Sequence, residues 1–245
     1  MKTDDYLKYL HAEKEKVRAF YSKSINKTEQ QKFLEQLLAQ HNVKHPLEIA
    51  DIAAGGGTLS FHINKIFPDA KYTVVDYNKD AIKLAGEINP GKNFKFIVDN
   101  IYDLKNLKSN SFDVVFCWQT LSWIANPENA LKQLIRIAKP NGKIYLSSLF
   151  NIDFDVDIYS KVFDHSGKNT LTERFSEYNT YSEKTVANWL NGAVKKWKIF
   201  EFTPEINFKS KGRGIGTFTV KTETKKRIQI SGGMLMNWGV LYILK

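Results

Sequence analysis

The chain has 245 residues, of which 42% are hydrophobic, and a formal net charge of +10. This length allows one large α/β domain or a domain with a small addition. The apolar content is enough for a core and excludes a disordered chain. A single cysteine, Cys117, excludes a disulfide framework, and the scattered histidines show no spacing typical of a metal site.

The N-terminal region predicts two helices. Residues 4–22 form a charged, moderately amphipathic segment. Thr28-Glu-Gln-Gln31 is a capping box before a second helix with an apolar face of Phe33, Leu34, Leu37 and Leu38. The first residues lack the apolar core of a signal peptide, and the longest apolar stretch is too short to span a bilayer. We therefore expect a cytoplasmic protein without membrane insertion.

A glycine-rich turn follows the first predicted strand. Leu47 to Ser60 place an apolar run, an acid, three glycines and an apolar-periodic segment in succession, which predicts strand, turn and helix. Gly55 to Gly57 allow a left-handed backbone and a close approach to a ligand. Asp51 before the glycines repels a pyrophosphate and suits an amino-bearing or cationic ligand. This pattern favours S-adenosylmethionine over NAD.

Strands and helices alternate from here to Phe150. Tyr72 to Asp76 is a second strand, and its acid follows the glycines at about 20 residues, the spacing at which a carboxylate reaches ribose hydroxyls. Asn78 and Asn126-Pro127 are predicted helix starts. The alternation predicts a doubly wound, mostly parallel sheet with the ligand at the carboxyl ends of its strands.

The following segments complete the predicted sheet. The third and fourth strands are predicted at Phe94 to Asn100 and Phe112 to Gln119. Lys139-Pro140-Asn141-Gly142 is a predicted helix stop and turn, and the fifth strand follows it. Ser182 is expected to cap a helix. Lys198–Thr203 and Gly239–Leu244 are predicted strands, and 216–222 with 227–230 form an added hairpin.

Taken in order, these segments resemble the class I S-adenosylmethionine-dependent methyltransferases of small-molecule type. Asp51-Ile-Ala-Ala-Gly-Gly-Gly resembles D-x-G-x-G-x-G with Ala53 at the first glycine, and Arg136 to Gly142 resembles R-x-x-K-P-x-G. The resemblance implies a seven-stranded, mostly parallel sheet with an N-terminal helical lid and an added hairpin. It also implies one domain, 1–245, with a lid (1–45), a cofactor-binding core (46–150) and acceptor-recognition insertions with the last strands (151–245).

The resemblance implies S-adenosylmethionine as cofactor and the following residues as its site: Asp51, Ala53, Gly55, Gly57, Asp76, Tyr77, Asp99, Asn100, Ile101, Trp118 and Trp123. Asp99 and Asn100 match the segment that meets the adenine, with a strand-end Asx turn as the alternative. Trp118 and Trp123 offer π faces to the sulfonium, with core packing as the alternative. The Ala53 methyl is expected to narrow the turn slightly and to be tolerated.

The sequence identifies no catalytic residue. In-line methyl transfer depends mainly on positioning, so an acidic acceptor oxygen needs no base, whereas a hydroxyl or amine does. Tyr21 and His165 are the candidates for such a role, and Tyr159 and Tyr181 are further tyrosines in the segments added to the core.

Positive charge concentrates in residues 195–227, with ten basic residues against three acids. A solvated lysine-rich surface is one explanation. The other is a small anionic acceptor bound by Lys209, Lys211 and Arg213: a phosphorylated, nucleotide- or sugar-linked molecule or a carboxylate, methylated on oxygen. A nucleic-acid substrate is not expected, because Cys117-Trp-Gln-Thr120 lacks the motif of base-modifying enzymes. An RNA-directed methyltransferase and a non-catalytic binding subunit remain alternatives.

Overall fold

The computed structural model describes residues 26–43, 45, 48–162, 176–177, 179–205, 207, 209, 217–221, 223, 227–231 and 234–245. Its helices are α1 (Glu29–Gln40), α2 (Thr58–Asn64), α3 (Lys79–Ile88), α4 (Pro127–Ile137) and α5 (Glu183–Leu190), with a 3₁₀ turn at Leu121–Trp123. The helix expected over 4–22 lies outside the described residues. The division of the chain into lid, core and insertions stays a prediction.

The strands are β1 (Glu48–Ile52), β2 (Lys71–Asp76), β3 (Phe94–Val98), β4 (Phe112–Cys117), β5 (Ala138–Asn151), β6 (Lys161–Val162), β7 (Ser176–Glu177), β8 (Tyr181–Ser182), β9 (Lys196–Phe202), β10 (Thr217–Lys221), β11 (Arg227–Ser231) and β12 (Met234–Leu244). The main sheet has the order β10-β11-β12-β5-β4-β1-β2-β3, with β9 on β12 and β8 on β5. Strands β1 to β5 are parallel, and β9 to β12 pair antiparallel. The mostly parallel sheet of the prediction is confirmed.

The C-terminal strands are longer and more connected than the sequence pattern predicts. The last strand begins at Met234, not Gly239, and its first residues pair with β11. The predicted hairpin is present as β10 and β11, and it continues the main sheet through β12. Residues 139–142 form a bulge in β5, because Phe112 pairs with Ala138 while Val114 pairs with Lys143.

The predicted helix starts are confirmed. Thr28 and Gln31 form the reciprocal capping box of α1. The side chains of Asn78, Asn126 and Ser182 each accept a backbone N–H from the first turn of the helix that follows. Each of these bonds satisfies a donor that the helix itself leaves unpaired.

Two helical layers cover the two faces of the sheet. Helices α1, α2 and α3 pack through Leu34, Ile63 and Ala85 on one face. Helices α4 and α5 pack through Leu134 and Leu190 on the other. Strands β1 to β5 run in one direction, so their carboxyl ends form one edge of the sheet, which we call the carboxyl edge.

Helix α1 runs antiparallel to these strands. Its second residue, Gln30, contacts Gln119 just after β4. The carbonyl oxygen of His41, at its C-terminus, accepts from Lys143, whose backbone pairs with Val114 in the first half of β4. The N-terminus of α1 therefore lies at the carboxyl edge.

Candidate active site

The loop after β1 is shaped by alternate left-handed residues. Ala53, Gly55 and Gly57 have φ values of 56°, 54° and 72°. Contacts within the protein fix this loop: the N–H of Ala54 donates to the Val75 carbonyl, that of Gly55 to Asp76 Oδ2 and that of Gly57 to the Ala54 carbonyl. Ala53 corrects an expectation: its methyl does not merely narrow the turn, because the missing glycine falls where the backbone is left-handed and an alanine is strained.

Gly57 is crowded as well as left-handed. A Cβ atom there would lie 2.9 Å from Ala85 Cβ and 2.9 Å from Asn89 Nδ2. The Asn89 amide donates to the carbonyl oxygen of Gly57 at 3.0 Å. The third glycine of the turn is thus required by the packing of the loop against α3.

Asp51, at the carboxyl end of β1, is buried with one oxygen unmatched. Its Oδ2 accepts the Ser60 hydroxyl at 2.7 Å, and its Oδ1 has no hydrogen-bond partner among the described residues. Burial raises the pKa of this carboxyl to about 7, and the nearby Asp76 adds to the rise while Ser60 opposes it. An ammonium group would satisfy the unmatched oxygen and stabilise the ionised form.

Asp76 ends β2 and holds the glycine loop. Its Oδ2 accepts the N–H of Gly55 at 2.8 Å, and its Oδ1 accepts the N–H of Asn78 at 2.8 Å. Each carboxylate oxygen can accept a second hydrogen bond, so ribose hydroxyls fit the same group. Tyr77 follows directly at this edge, and its contact with a cofactor stays a prediction.

The segment after β3 is built by local hydrogen bonds. Asp99 accepts the N–H groups of Asn100 and Asn106, both at 2.8 Å. Asn100 Oδ1 accepts the N–H of Tyr102 at 2.9 Å, which is the Asx turn considered as an alternative. Ile101 is buried in the core. The Asp99 N–H donates to the Asp76 carbonyl at 3.1 Å, which places the segment beside the end of β2. Whether an adenine also binds there stays a prediction.

The end of β4 brings Trp118 and Trp123 to the carboxyl edge. Trp118 packs partly buried against the α1 face, and its indole Nε1 is buried without a hydrogen-bond partner in the described part of the chain. Cys117 is fully buried, and burial raises the pKa of its thiol to about 12. Cys117 is therefore a small core residue, and its thiol stays protonated at neutral pH.

Sequence reasoning missed the polar contacts around Gln119. This residue has a φ of 55°, its N–H donates to Ser147 Oγ at 2.8 Å, and its side chain donates to Gln30 Oε1 at 2.8 Å. The two glutamines are 89 positions apart, so no local pattern could pair them. Ser60 was also missed, although its place in the first turn of α2 is a usable signal.

The remaining candidates are only partly described. Tyr21, His165, Lys211 and Arg213 lie outside the described residues, and Lys209 is exposed. Tyr181 was expected on an acceptor-recognition segment, but it is fully buried and its hydroxyl donates to the Leu121 carbonyl, so it is a core residue.

Metal sites and membrane spans can be judged for the described residues. They contain no group of three or more His, Cys, Asp or Glu side chains able to hold a metal ion. None of their helices has both the length and the hydropathy needed to cross a bilayer.

Comparison with known proteins identifies the family. A methyltransferase-domain family model matches residues 44–205. The ubiquinone biosynthesis O-methyltransferase of Xanthomonas axonopodis pv. citri is 28% identical over 41% of this chain and 42% of its own length. The malonyl-[acyl-carrier protein] O-methyltransferase of Halalkalibacterium halodurans is 25% identical over 59% of this chain and 61% of its own length. The chain therefore spans only about half the length of these curated relatives.

Solved structures agree on the fold. The crystal structure of 1,6-didemethyltoxoflavin-N1-methyltransferase from Burkholderia thailandensis superposes with a TM-score of 0.59 at 13% identity, covering 100% of this chain and 91% of that one. At this identity the likeness concerns the fold alone. With the family match over most of the chain, it shows that the chain belongs to the class I S-adenosylmethionine-dependent methyltransferase family.

Proposed function

We propose that this chain binds S-adenosylmethionine at the carboxyl edge and transfers its methyl group to a small molecule. The observation that carries the proposal is the unmatched, buried Oδ1 of Asp51 beside the left-handed loop 53–57. A buried carboxylate oxygen with no hydrogen-bond partner among the described residues suits the ammonium group of an amino-acid moiety. The toxoflavin enzyme of the comparison is described with bound S-adenosylhomocysteine, which supports the same ligand here.

The other residues of the carboxyl edge are assigned to the remaining parts of the cofactor. In this proposal Asp76 accepts the ribose hydroxyls while it holds Gly55. Asp99, Asn100 and Ile101 form the adenine end, beside β2. Trp118 and Trp123 lie at the end of β4, where a cationic sulfonium can meet an aromatic face.

Catalysis then depends mainly on positioning. The cofactor supplies a methyl group that the positive sulfonium already activates, so the chain's task is to hold the acceptor in line and exclude water. An acceptor oxygen that is already ionised needs no proton removed. Gln119 and Thr120, which follow β4 and are not buried, carry neutral hydrogen-bonding groups that can orient an acceptor without titrating near pH 7.

The acceptor is proposed to be a small molecule methylated on oxygen. Two relatives named above are O-methyltransferases of small or carrier-bound substrates. The positive charge of residues 195–227 supports an anionic group on the acceptor. The N–H of Glu205 donates to Glu29 in the first turn of α1, so the segment that leads to Lys209 starts near the carboxyl edge.

Titration calorimetry with S-adenosylmethionine and S-adenosylhomocysteine tests the proposal. We expect one site with micromolar affinity for both ligands, and loss of binding in Gly55→Val, whose side chain would block the loop. A protein that is folded and binds neither ligand would overturn the proposal.

A further inference from the structure

An exposed apolar rim follows the fifth strand. Phe154, Val156 and Tyr159 are 69%, 50% and 65% exposed. They are three of the five large hydrophobic side chains that are exposed in the described part of the chain, and they lie within six residues. We call these three residues the apolar rim. Exposed apolar side chains are ordinary one by one, but a cluster of them marks a binding surface.

Hydrogen bonds hold the segment that carries the apolar rim in place. Asp157 accepts the N–H of Ser182 and the hydroxyl of Thr185, both at 2.6 Å. Burial opposes ionisation of this carboxyl, but these hydrogen bonds hold its pKa below the ordinary value. Asn151 donates its amide to the Val156 carbonyl at 2.9 Å. The apolar side chains are therefore presented by a backbone tied to β5 and α5.

Contacts across the segment place the rim at the carboxyl edge. The Tyr159 ring meets the edge of Tyr181, with centroids 6.0 Å apart, and the Tyr181 hydroxyl donates to the Leu121 carbonyl at 3.4 Å. The Asn179 N–H donates to the Ser122 carbonyl at 2.8 Å. The rim thus adjoins the turn after β4, beside the proposed site of methyl transfer.

The charge around the rim decides what it can bind. Residues 152–160 contain three acids, Asp153, Asp155 and Asp157, and no lysine or arginine. Lys184 approaches Asp155 only at 4.0 Å, with both side chains largely exposed. An anionic group placed here would be repelled. The polar groups nearest the rim on the core side, Ser122, Asn179 and Thr180, are neutral and buried.

We propose that the apolar rim binds an uncharged, aromatic or aliphatic body of the methyl acceptor, with Phe154 and Val156 as specificity-determining residues. The proposal rests on the proposed function, since it assigns this surface to the acceptor. Any anionic group of the acceptor then lies on the opposite side of the site, toward the segment leading to Lys209. The substrate class is a molecule with a large apolar part, not a compact polar metabolite.

Fluorescence titration with the neutral probe N-phenylnaphthylamine, at saturating S-adenosylhomocysteine, tests the proposal. Saturation with S-adenosylhomocysteine keeps the probe out of the cofactor site. Calorimetric titration of S-adenosylhomocysteine alone tests the proposed function separately. We expect saturable binding of one probe molecule. The double variant Phe154→Ser/Val156→Ser should weaken it roughly tenfold or more, the effect of losing two apolar contacts.

Ile66→Ser is the matched control. Ile66 is 40% exposed just after the end of α2, outside the rim. We expect this variant to bind the probe like the unaltered protein, and both variants to bind S-adenosylhomocysteine normally. The proposal is overturned if the probe does not bind saturably or if both variants weaken it equally. It is also overturned if the double variant turns a dimer into a monomer, because the rim would then be a subunit interface.

Discussion

The backbone N–H of Gly55 donates to Oδ2 of Asp76 at 2.8 Å and so joins the loop after β1 to the end of β2. The other oxygen of Asp76 accepts the N–H of Asn78, the cap of α3. One carboxylate therefore orients the glycine loop, the strand end and the next helix. Its loss would disturb the proposed cofactor site in the empty protein as well as remove a ligand.

The first prediction concerns Asp76. Asp76→Ala should weaken S-adenosylhomocysteine binding roughly a hundredfold or more in calorimetry, because two charge-assisted hydrogen bonds and an acceptor for the ribose disappear together. The control is Asp113→Ala, which removes a strand-end acid at the opposite edge, where Asp113 holds the Glu48 N–H and Lys139. That variant should lose stability and keep its affinity. Equal affinity in both variants would contradict the site assignment.

A second prediction concerns the strained alanine. Ala53→Gly should raise the free energy of unfolding by about 0.5–1 kcal/mol, because relief of the left-handed strain exceeds the added entropy of the unfolded chain. Ala54→Gly is the control: its φ is not left-handed and its methyl packs against the core, so it should destabilise. Urea unfolding measures both. Loss of stability in both variants would show that strain at Ala53 is negligible.

A third prediction separates conformation from space at two glycines. Gly57→Ala should lower the free energy of unfolding by about 2–4 kcal/mol, since it adds crowding to backbone strain. Gly192→Ala should lower it by about 1 kcal/mol, because Gly192 has a φ of 68° but a Cβ atom there would meet no atom of the described residues within 4 Å. Thermal unfolding compares them. Equal losses would mean that Asn89 and Ala85 move aside without cost.

A fourth prediction follows from the buried carboxyl of Asp51. Its pKa is raised from 3.8 to about 7 in the folded protein. Below about pH 4 the carboxyl is protonated in the folded and in the unfolded protein, so its burial does not lower the free energy of unfolding. As the pH rises toward 7 the unfolded chain ionises while the folded one does not, so the stability that this group contributes is lost progressively.

Comparison with Asp51→Asn isolates this effect. The variant should gain stability relative to the unaltered protein between about pH 4 and pH 7, by an amount on the order of a few kcal/mol at neutral pH. Ser60→Ala, which removes a hydrogen bond that lowers the pKa, should extend the loss to higher pH. Urea unfolding of the ligand-free protein across this range is the measurement. A difference between Asp51→Asn and the unaltered protein that does not vary with pH would be the contrary result.

The fifth prediction concerns the basic segment. Anilinonaphthalene sulfonate and N-phenylnaphthylamine share one ring system and differ by a sulfonate. If Lys209, Lys211 and Arg213 face the acceptor, the sulfonated probe binds more tightly, and alanine at all three positions lowers its affinity severalfold while leaving that of the neutral probe unchanged. Unchanged affinity for both probes would assign these cations to the solvated surface.

Much of the fold follows from local sequence. The side chains of Thr28, Asn78 and Ser182 cap helices within three residues of themselves, so their roles can be predicted from short patterns. The order of strands ending in Asp51 and Asp76 could also be predicted, because a buried parallel strand is a short apolar run between turns.

Other features could not be predicted from neighbouring residues. The sequence around Gly239 indicates a short last strand, but β12 extends back to Met234 because β11 pairs with it. Tyr181 has the sequence neighbours of a surface residue, yet it is fully buried because its segment returns to β5 and packs on Trp189. The position of Tyr181 depends on β5, which is distant in the chain. The extent of β12 depends on a turn after β11 whose direction the sequence pattern does not indicate.

The sequence by itself determined the family, the order of elements along the chain and the residues at the ends of the parallel strands. Each of these can be recognised from short patterns of neighbouring residues within one βαβ unit. Only the tertiary structure decided how those residues are used: which oxygen of Asp51 is unmatched, that Ala53 is left-handed, and that Gln30 meets Gln119. These depend on burial and on contacts between segments far apart in the chain. Such contacts arise when the sheet twists and its two helical layers close over it.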